Sequence, residues 1–152
     1  MLRMSGASRP IVSTSPMAVI NTGIEELDMV QNLSAVKNGQ PNLSYDLIRS
    51  VAELCRANKV LLKVILETCY LSEEEIITCC LYAKKAGAEF VKTSTGFGSA
   101  GASVENVRLM RETVGPKLGV KASGGIRTRE QALQMIAAGA NRIGASAVKA
   151  LV

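Results

Sequence analysis

Short apolar runs alternate with longer amphipathic segments along most of the chain. The apolar runs have the length and the two-residue alternation of β-strands, and they predict strands at 26–31, 60–66, 89–94, 118–123 and 141–146. Between them, apolar residues recur at the three- and four-residue spacing of helices. Each connection is long enough for a crossover helix, so the order predicts a parallel sheet with right-handed connections.

Four helices are predicted between the strands, and their ends carry recognisable signals. Ser72 followed by Glu75, and Thr128 followed by Gln131, are capping boxes, while Ser103 is a single cap. Gly87 and Gly139 are stop signals. The residues expected to face the core are Leu47, Val51, Leu54 and Cys55; Ile76, Cys80 and Ala83; Val104, Val107, Met110 and Val114; and Ala132, Leu133 and Ile136.

Charged residues interrupt the predicted strands on one side only. Because successive strand residues face opposite sides, Asp28, Lys63, Lys92 and Lys121 all point away from the helices. An open sheet covered by helices on both faces would bury this row of charges without purpose. The interior of a (β/α)8 barrel accommodates them, because its active sites lie at the carboxyl ends of the strands. The pattern therefore favours the α/β class and a partial TIM barrel of about five parallel strands.

The spacing of the three lysines suggests a site with a reactive amine. Lys63, Lys92 and Lys121 are each 29 residues apart, about one βα unit, so their ammonium groups should converge. A lysine with the ordinary pKa of about 10.4 is a poor nucleophile at pH 7. A second ammonium about 4 Å away disfavours the charged form by about 4 kcal/mol, about three pKa units, and burial acts in the same direction. Two adjacent lysines therefore suit Schiff-base formation with a carbonyl substrate.

A simpler interpretation of a buried lysine is an ion pair with a neighbouring acid. For Lys63 we expect such a pair with Asp28 or Glu67, because both carboxylates lie within reach in the predicted arrangement. Ion pairs of this kind do not readily satisfy all three lysines.

Small residues follow the last two predicted strands. Gly124 and Gly125 lead into the capped helix at Thr128, and Gly144 and Ser146 end the next strand. Small residues let backbone N–H groups approach an anion, and the loops after the last strands of such barrels often hold phosphate. The sequence predicts a phosphate site here, with an ordinary turn as the alternative.

Composition narrows the possible functions. The 152 residues are 47% apolar and 20% charged, which predicts one globular domain. The chain has no histidine, so histidine metal sites, histidine bases and Ser-His-Asp triads are excluded. The charge of +5 is scattered and aromatics make up only 3%, which argues against nucleic-acid binding. No apolar run approaches the ~20 residues that span a bilayer, so no membrane partner is expected.

The cysteines and the amino-terminal segment indicate the cellular compartment of the protein. The four cysteines, at 55, 69, 79 and 80, form no C-x-x-C pair and are interpreted as reduced packing residues of a cytoplasmic protein. Residues 1–24 contain Arg3 and Arg9 and no acid, so organellar targeting is the weaker alternative.

Five segments together resemble the deoxyribose-phosphate aldolases. They are EELDMVQN, LLKVILETCYLS, FVKTSTGFGSAGAS, GVKASGGIRT and RIGAS, and the resemblance extends from about Met17 to the end. The resemblance implies a (β/α)8 barrel that reversibly cleaves 2-deoxy-D-ribose 5-phosphate into acetaldehyde and D-glyceraldehyde 3-phosphate without a metal or a cofactor. The expected partner is therefore a small sugar phosphate.

The resemblance also implies roles for individual residues. Lys92 is expected to be the Schiff-base nucleophile, Lys121 the neighbour that lowers its pKa, and Asp28 the residue that shuttles protons with a water. The substrate- and phosphate-binding residues are expected to be Lys63, Thr95, Gly124, Gly125, Gly144 and Ser146.

The chain departs from the family pattern in two ways. Ala147 stands where the family commonly has a second serine, which removes one expected phosphate contact. Five strands are predicted instead of eight, and a complete barrel needs about 250 residues. We expect 1–16 to be a divergent, poorly ordered segment and 17–152 to form the partial barrel.

Missing strands would have consequences for assembly and activity. Two sheet edges should be unpaired, among them that of the strand carrying Asp28, and water entering the open interior would weaken the desolvation of Lys92. Association through the open edges, or a homo-oligomer, is expected. One alternative function is a non-catalytic fragment that binds a phosphorylated metabolite or a full-length partner. The other is an incomplete product that does not fold alone.

Overall fold

Helices and strands alternate along the chain in the order expected from the sequence. The computed structural model describes residues 2–4, 10–11 and 15–145. The elements are β1 (Leu2–Met4), β2 (Pro10–Ile11), α1 (Pro16–Ile20), β3 (Glu26–Val30), α2 (Leu33–Lys37), α3 (Pro41–Ala57), β4 (Leu61–Ile65), a 3₁₀ turn (Thr68–Tyr70), α4 (Glu73–Ala86), β5 (Phe90–Lys92), α5 (Val104–Val114), β6 (Gly119–Ser123), α6 (Arg129–Ala137) and β7 (Arg142–Gly144).

Five parallel strands form the body of a single sheet. The strand order is β2-β1-β3-β4-β5-β6-β7, and each of β3 to β7 lies within the limits predicted for it. The prediction of an α/β partial barrel with five parallel strands is confirmed.

The edge of β3 is paired, which the sequence did not predict. β1 runs antiparallel to β3, with Leu2 opposite Met29, and β2 in turn pairs with β1. The expectation of an unpaired edge on the strand that carries Asp28 is therefore wrong. Both strands lie within 1–16, the segment expected to be divergent and poorly ordered, so no strand was predicted there. The poor order expected for 1–16 stays a prediction, because most of that segment lies outside the described residues.

The outer face of the sheet is buried under helices. Leu27, Leu62, Val64, Val91 and Val120 alternate with the charged positions and are fully buried. The helical residues that cover them include Ile48, Val51, Cys55, Ile76, Cys80, Ala83, Val107, Met110 and Val114. No helix in the described part of the chain is long and apolar enough to cross a bilayer.

Two helices are rotated relative to the faces predicted for them. In α3, Leu47 is 45% exposed and its neighbour Ile48 is fully buried. In α6, Leu133 and Ile136 are 52% and 53% exposed, and Met135 is buried instead. Adjacent residues of a helix are only about 100° apart, so a spacing pattern with apolar residues on both sides does not decide which of them faces the core.

The predicted helix ends are confirmed at their caps. Ser72 Oγ accepts from the N–H of Glu75 at 3.2 Å, and Glu75 Oε2 accepts from the N–H of Ser72 at 2.7 Å. Thr128 and Gln131 form the second capping box of the structure. Helix α4 ends at Gly87, whose φ of 94° suits glycine.

The end of the barrel interior near the strand amino termini is filled by one aromatic ring. Phe90 lies opposite Gly119 in the register of β5 and β6, and a Cβ at Gly119 would overlap the Phe90 ring. The Arg142 guanidinium lies over the same ring, 4.7 Å from its centroid, and donates to Glu26 Oε1 at 2.7 Å. This ion pair joins β3 to β7, the first and the last parallel strands, across the curved interior.

We predict that Gly119→Ala destabilises the fold by about 1–3 kcal/mol, because the added methyl group must displace the Phe90 ring. The free energy of unfolding in urea measures the effect. In Phe90→Leu/Gly119→Ala, the smaller side chain should relieve the overlap, so the double variant should lose less stability than the sum of the two single losses. Simple additivity would show that the ring is not the cause.

Candidate active site

The carboxylate of Asp28 binds two lysines at once. Lys63 on β4 donates from Nζ to Oδ1 at 2.9 Å, and Lys92 on β5 donates from Nζ to Oδ2 at 2.7 Å. All three residues are buried. Lys63 Nζ also lies 2.7 Å from Glu26 Oε2, so two carboxylates share its charge. Three adjacent strands thus contribute to one buried charge cluster.

These contacts set the protonation state of Asp28. Burial by itself would raise the pKa of this carboxyl group, but hydrogen bonds and positive charge from Lys92 and then Lys63 outweigh it and hold the pKa below its usual range. Asp28 is therefore a carboxylate at neutral pH and accepts hydrogen bonds through both oxygens.

Lys121 lies directly beside this cluster. It pairs with Lys92 in the register of β5 and β6. Burial lowers the pKa of Lys121, and the positive charge of Lys92 lowers it further, while Asp28 partly offsets both effects.

Gly144 provides the space that Lys121 occupies. A Cβ at Gly144 would lie 3.2 Å from Lys121 Cε and 2.9 Å from Ser123 Cβ, both closer than ordinary contacts. Its lack of a side chain therefore makes room for Lys121, and the phosphate binding predicted for Gly144 stays a prediction.

Lys63 has a different environment from the other two lysines. Its side chain has no exposed surface, and its ammonium contacts Asp28 and Glu26. The ion pair with Asp28 anticipated from the sequence is present, and Glu67 lies elsewhere. The substrate contact predicted for Lys63 stays a prediction.

The loops after β5 and β6 are locked together above the lysines. Ser123 Oγ donates to the carbonyl of Ser94 at 2.8 Å, and the N–H of Ala102 donates to the carbonyl of Gly124 at 3.0 Å. A Cβ at Gly101 would overlap that same carbonyl. Gly124 has a φ of 86°, which suits glycine.

Thr95 is held by an acid that sequence reasoning considered only as a partner for Lys63. Glu67 Oε1 and Oε2 lie 3.1 and 3.2 Å from the N–H of Thr95, and the Thr95 hydroxyl donates a short hydrogen bond to Oε2. Glu67 is buried. In the sequence, the one feature that could have indicated a role for Glu67 is its position as a charged residue directly after an apolar strand.

Of the remaining residues predicted to bind phosphate, the structure describes Gly125 and does not describe Ser146. Gly125 follows Gly124, has a φ of 76° and is exposed at the start of the loop before α6. Ser146 and Ala147 lie outside the described residues. Within 15–145, no group of three or more Cys, Asp and Glu side chains is placed to hold a metal ion.

We predict that Asp28→Asn destabilises the protein by about 3–5 kcal/mol, because it removes the carboxylate that both buried lysines contact and leaves only Lys63 with its second contact, Glu26, among the ion pairs of the described residues. Urea denaturation at neutral pH measures this loss. Asp46→Asn, at an exposed position of α3, is the matched control and should change stability by less than about 0.5 kcal/mol. Equal effects of the two substitutions would contradict the buried cluster.

The pH dependence of stability should carry the same signature. A carboxyl group whose pKa is lower when folded stabilises the protein above its unfolded pKa, about 3.9, and this stabilisation is lost as pH falls through the lower folded pKa. We expect the unfolding free energy to fall below about pH 4, with a smaller slope in Asp28→Asn. Parallel slopes from pH 5 to pH 2 would refute the shift.

Comparison with known proteins identifies similar aldolases. A family model described as DeoC/LacD family aldolase matches residues 5–151. The deoxyribose-phosphate aldolase of Thermococcus gammatolerans is 58% identical over 127 residues, which cover 84% of this chain and 56% of that protein. That of Bacillus cytotoxicus is 54% identical over 134 residues, which cover 88% of this chain and 60% of that protein.

Solved structures show the same fold. The deoxyribose phosphate aldolase of Aeropyrum pernix, described as a tetramer, superposes with a TM-score of 0.81 at 35% identity, covering 90% of this chain and 57% of that one. The chain thus spans more than half, and less than two thirds, of the length of each of these three relatives. Because the family model matches nearly the whole length of the chain, the chain belongs to the DeoC/LacD family of aldolases.

Proposed function

We propose that this chain is a deoxyribose-phosphate aldolase that cleaves 2-deoxy-D-ribose 5-phosphate reversibly through a Schiff base on Lys92. The observation that carries the proposal is the buried cluster in which Asp28 holds Lys92 beside Lys121, a lysine with a lowered pKa. Such a cluster supplies an amine, a proton acceptor and a neighbouring positive charge in one place.

Schiff-base formation uses the two lysines together. The neutral amine of Lys92 adds to the C1 aldehyde, and the resulting carbinolamine takes up one proton and loses water to give an iminium ion. Lys121 provides a second amino group beside Lys92, and burial together with the charge of Lys92 lowers the pKa of Lys121. Lys63 holds Asp28 independently of Lys92, so the carboxylate keeps its place when Lys92 changes its bonding.

Carbon–carbon cleavage then uses the iminium ion as an electron sink. The C2–C3 bond breaks, its electron pair forms an enamine with the iminium carbon, and the C3 hydroxyl becomes the aldehyde of glyceraldehyde 3-phosphate as its proton leaves. Asp28, acting with a water, takes that proton and returns one to C2. Hydrolysis of the resulting iminium ion releases acetaldehyde and restores the amine of Lys92.

The phosphate of the substrate is assigned to the loops beyond the lysines. Gly124 and Gly125 precede α6, whose amino-terminal end favours an anion, and Thr95 is assigned to the same part of the site. Gly144 and Ser146 complete this part of the proposal, the latter from its sequence position alone.

The oligomeric state, the location and the metabolic role of the enzyme are proposed from its similarity to the deoxyribose-phosphate aldolases. By analogy with the tetramer described for the Aeropyrum pernix relative, we propose a homo-oligomer for this chain. We further propose that it acts in the cytoplasm, in the breakdown of deoxyribonucleotides, with a sugar phosphate as its small-molecule partner.

Borohydride reduction in the presence of acetaldehyde tests the proposal. We predict that Lys92 becomes N-ethylated, which peptide mass spectrometry detects, and that Lys92→Arg abolishes the adduct. Lys121→Met should slow trapping at pH 7 by about tenfold or more, because a neighbouring charge is lost. The exposed residues Lys84 and Lys85 serve as internal controls for non-specific alkylation.

The outcomes separate the alternatives. Labelling of Lys92 no greater than that of Lys84 would refute the mechanism for this chain. Specific labelling without cleavage of 2-deoxyribose 5-phosphate would favour the alternative of a non-catalytic fragment that binds phosphorylated metabolites.

A further inference from the structure

Glu67 combines three properties that rarely occur together. It is an acid, it is only 4% exposed, and its backbone has a left-handed conformation with φ 57° and ψ 61°. Glycine or asparagine normally occupies such a position, because a longer side chain is disfavoured there. A buried glutamate with this backbone indicates that its side chain has a task that glycine could not perform.

The task visible in the structure is to fix the turn that follows Lys92. The carboxylate accepts from both the N–H and the hydroxyl of Thr95. The Thr95 hydroxyl in turn accepts from the N–H of Phe97 at 3.1 Å. Next to Glu67, the N–H of Thr68 donates to the carbonyl of Thr93 at 2.9 Å. The segment after β4 therefore holds the segment after β5 by side-chain and backbone bonds.

The rest of this turn is shaped to fit the carboxylate. A Cβ at Gly98 would lie 3.2 Å from Glu67 Oε1 and 2.7 Å from Cys69 Sγ, so only glycine lets the chain pass this close without a shift. Three residues later, Gly101 packs directly on the backbone of Gly124. The turn held by Glu67 therefore continues into the contact with the glycine loop assigned to phosphate.

The lysine cluster is held by other bonds. Lys92 Nζ is fixed by Asp28, and the backbone of β5 is fixed by its ladders with β4 and β6. Loss of the Glu67 carboxylate would therefore loosen residues 95–98 and leave the Lys92–Asp28 contact in place.

We propose that Glu67 is a positioning residue, which acts through Thr95. It holds the mouth of the site, formed by residues 95–98 and the adjoining glycine loop at 124–125, in the shape that binds the phosphate end of the substrate. The inference rests on the proposed function and adds to it the residue that sets the affinity for the phosphorylated half. Its consequence is a separation of effects: binding of the phosphorylated substrate depends on Glu67, and imine formation with unphosphorylated acetaldehyde does not.

Glu67→Gln tests the inference, since the amide keeps the size of the side chain but loses the negative charge and one of the two acceptor oxygens that bind Thr95. Glu89→Gln is the matched control, because the Glu89 carboxylate also accepts a backbone N–H, that of Leu62, at the opposite end of the sheet. We expect Glu67→Gln to raise KM for 2-deoxyribose 5-phosphate about tenfold or more, the loss of one charge-assisted hydrogen bond. The turnover number and acetaldehyde trapping at Lys92 should change by less than about threefold.

Amide hydrogen exchange provides a readout that needs no activity. In Glu67→Gln, exchange at Thr95 and Phe97 should accelerate about tenfold or more, while the amides of β5 keep their protection. Thr95→Val removes the same hydroxyl from the other side, so the double variant Glu67→Gln/Thr95→Val should raise KM and exchange little beyond Thr95→Val alone. Thr95→Val by itself should also accelerate exchange at Phe97, which tests the turn even if the Glu67 variant does not fold.

The results distinguish failure of the inference from failure of the proposed function. If the unmodified chain forms no acetaldehyde adduct, the proposed function fails, and the exchange data alone decide whether Glu67 fixes the turn. If Glu67→Gln matches Glu89→Gln in KM and in exchange at 95–98, the inference is overturned. A rise in KM accompanied by equally large decreases in turnover number and in trapping would also overturn it, because that result indicates a general structural role.

Discussion

The Asp28 carboxylate is the interaction on which the interior of this protein depends. Two ammonium groups in a buried space repel each other and lose their hydration, and only an ionised partner between them makes their burial tolerable. Asp28 meets this need for Lys63 and Lys92 simultaneously, and its lowered pKa is the expected response. The same bonds tie β3, β4 and β5 into one unit.

The charges continue in alternating sign towards the amino ends of the strands. Glu26 binds Lys63 on one side and Arg142 on the other, so a row of ion pairs extends from Lys92 on β5 to Arg142 on β7. Each internal member of the row has a partner on either side, which is the condition under which buried charges persist. Lys121 lies beside the row rather than in it, and burial next to Lys92 lowers its pKa.

The site is thus divided into a rigid base and a shaped mouth. The base consists of strand residues whose side chains are fixed by ion pairs, and it holds the groups proposed for covalent chemistry. The mouth consists of glycine-rich loops, in which Glu67 and the contact of Gly101 with Gly124 determine the backbone path. Because the mouth has few side chains of its own, a single buried carboxylate has a large influence on its shape.

The sequence by itself determined the five parallel strands and the four helices between them, the side of the sheet on which the charges lie, and the lysines that meet there. These features follow from local rules: the two-residue period of strands, the capping boxes at Ser72 and Thr128, and the repeat of one βα unit between Lys92 and Lys121. Only the tertiary structure decided that Glu26 and Arg142 join the cluster, that Glu67 binds Thr95, that β1 covers β3, and that Ile48 rather than Leu47 faces the core. Those outcomes depend on the curvature of the sheet and the rotation of each helix, which bring together residues as distant as 26 and 142. No local pattern encodes such distances, because they are set by the packing of the whole chain.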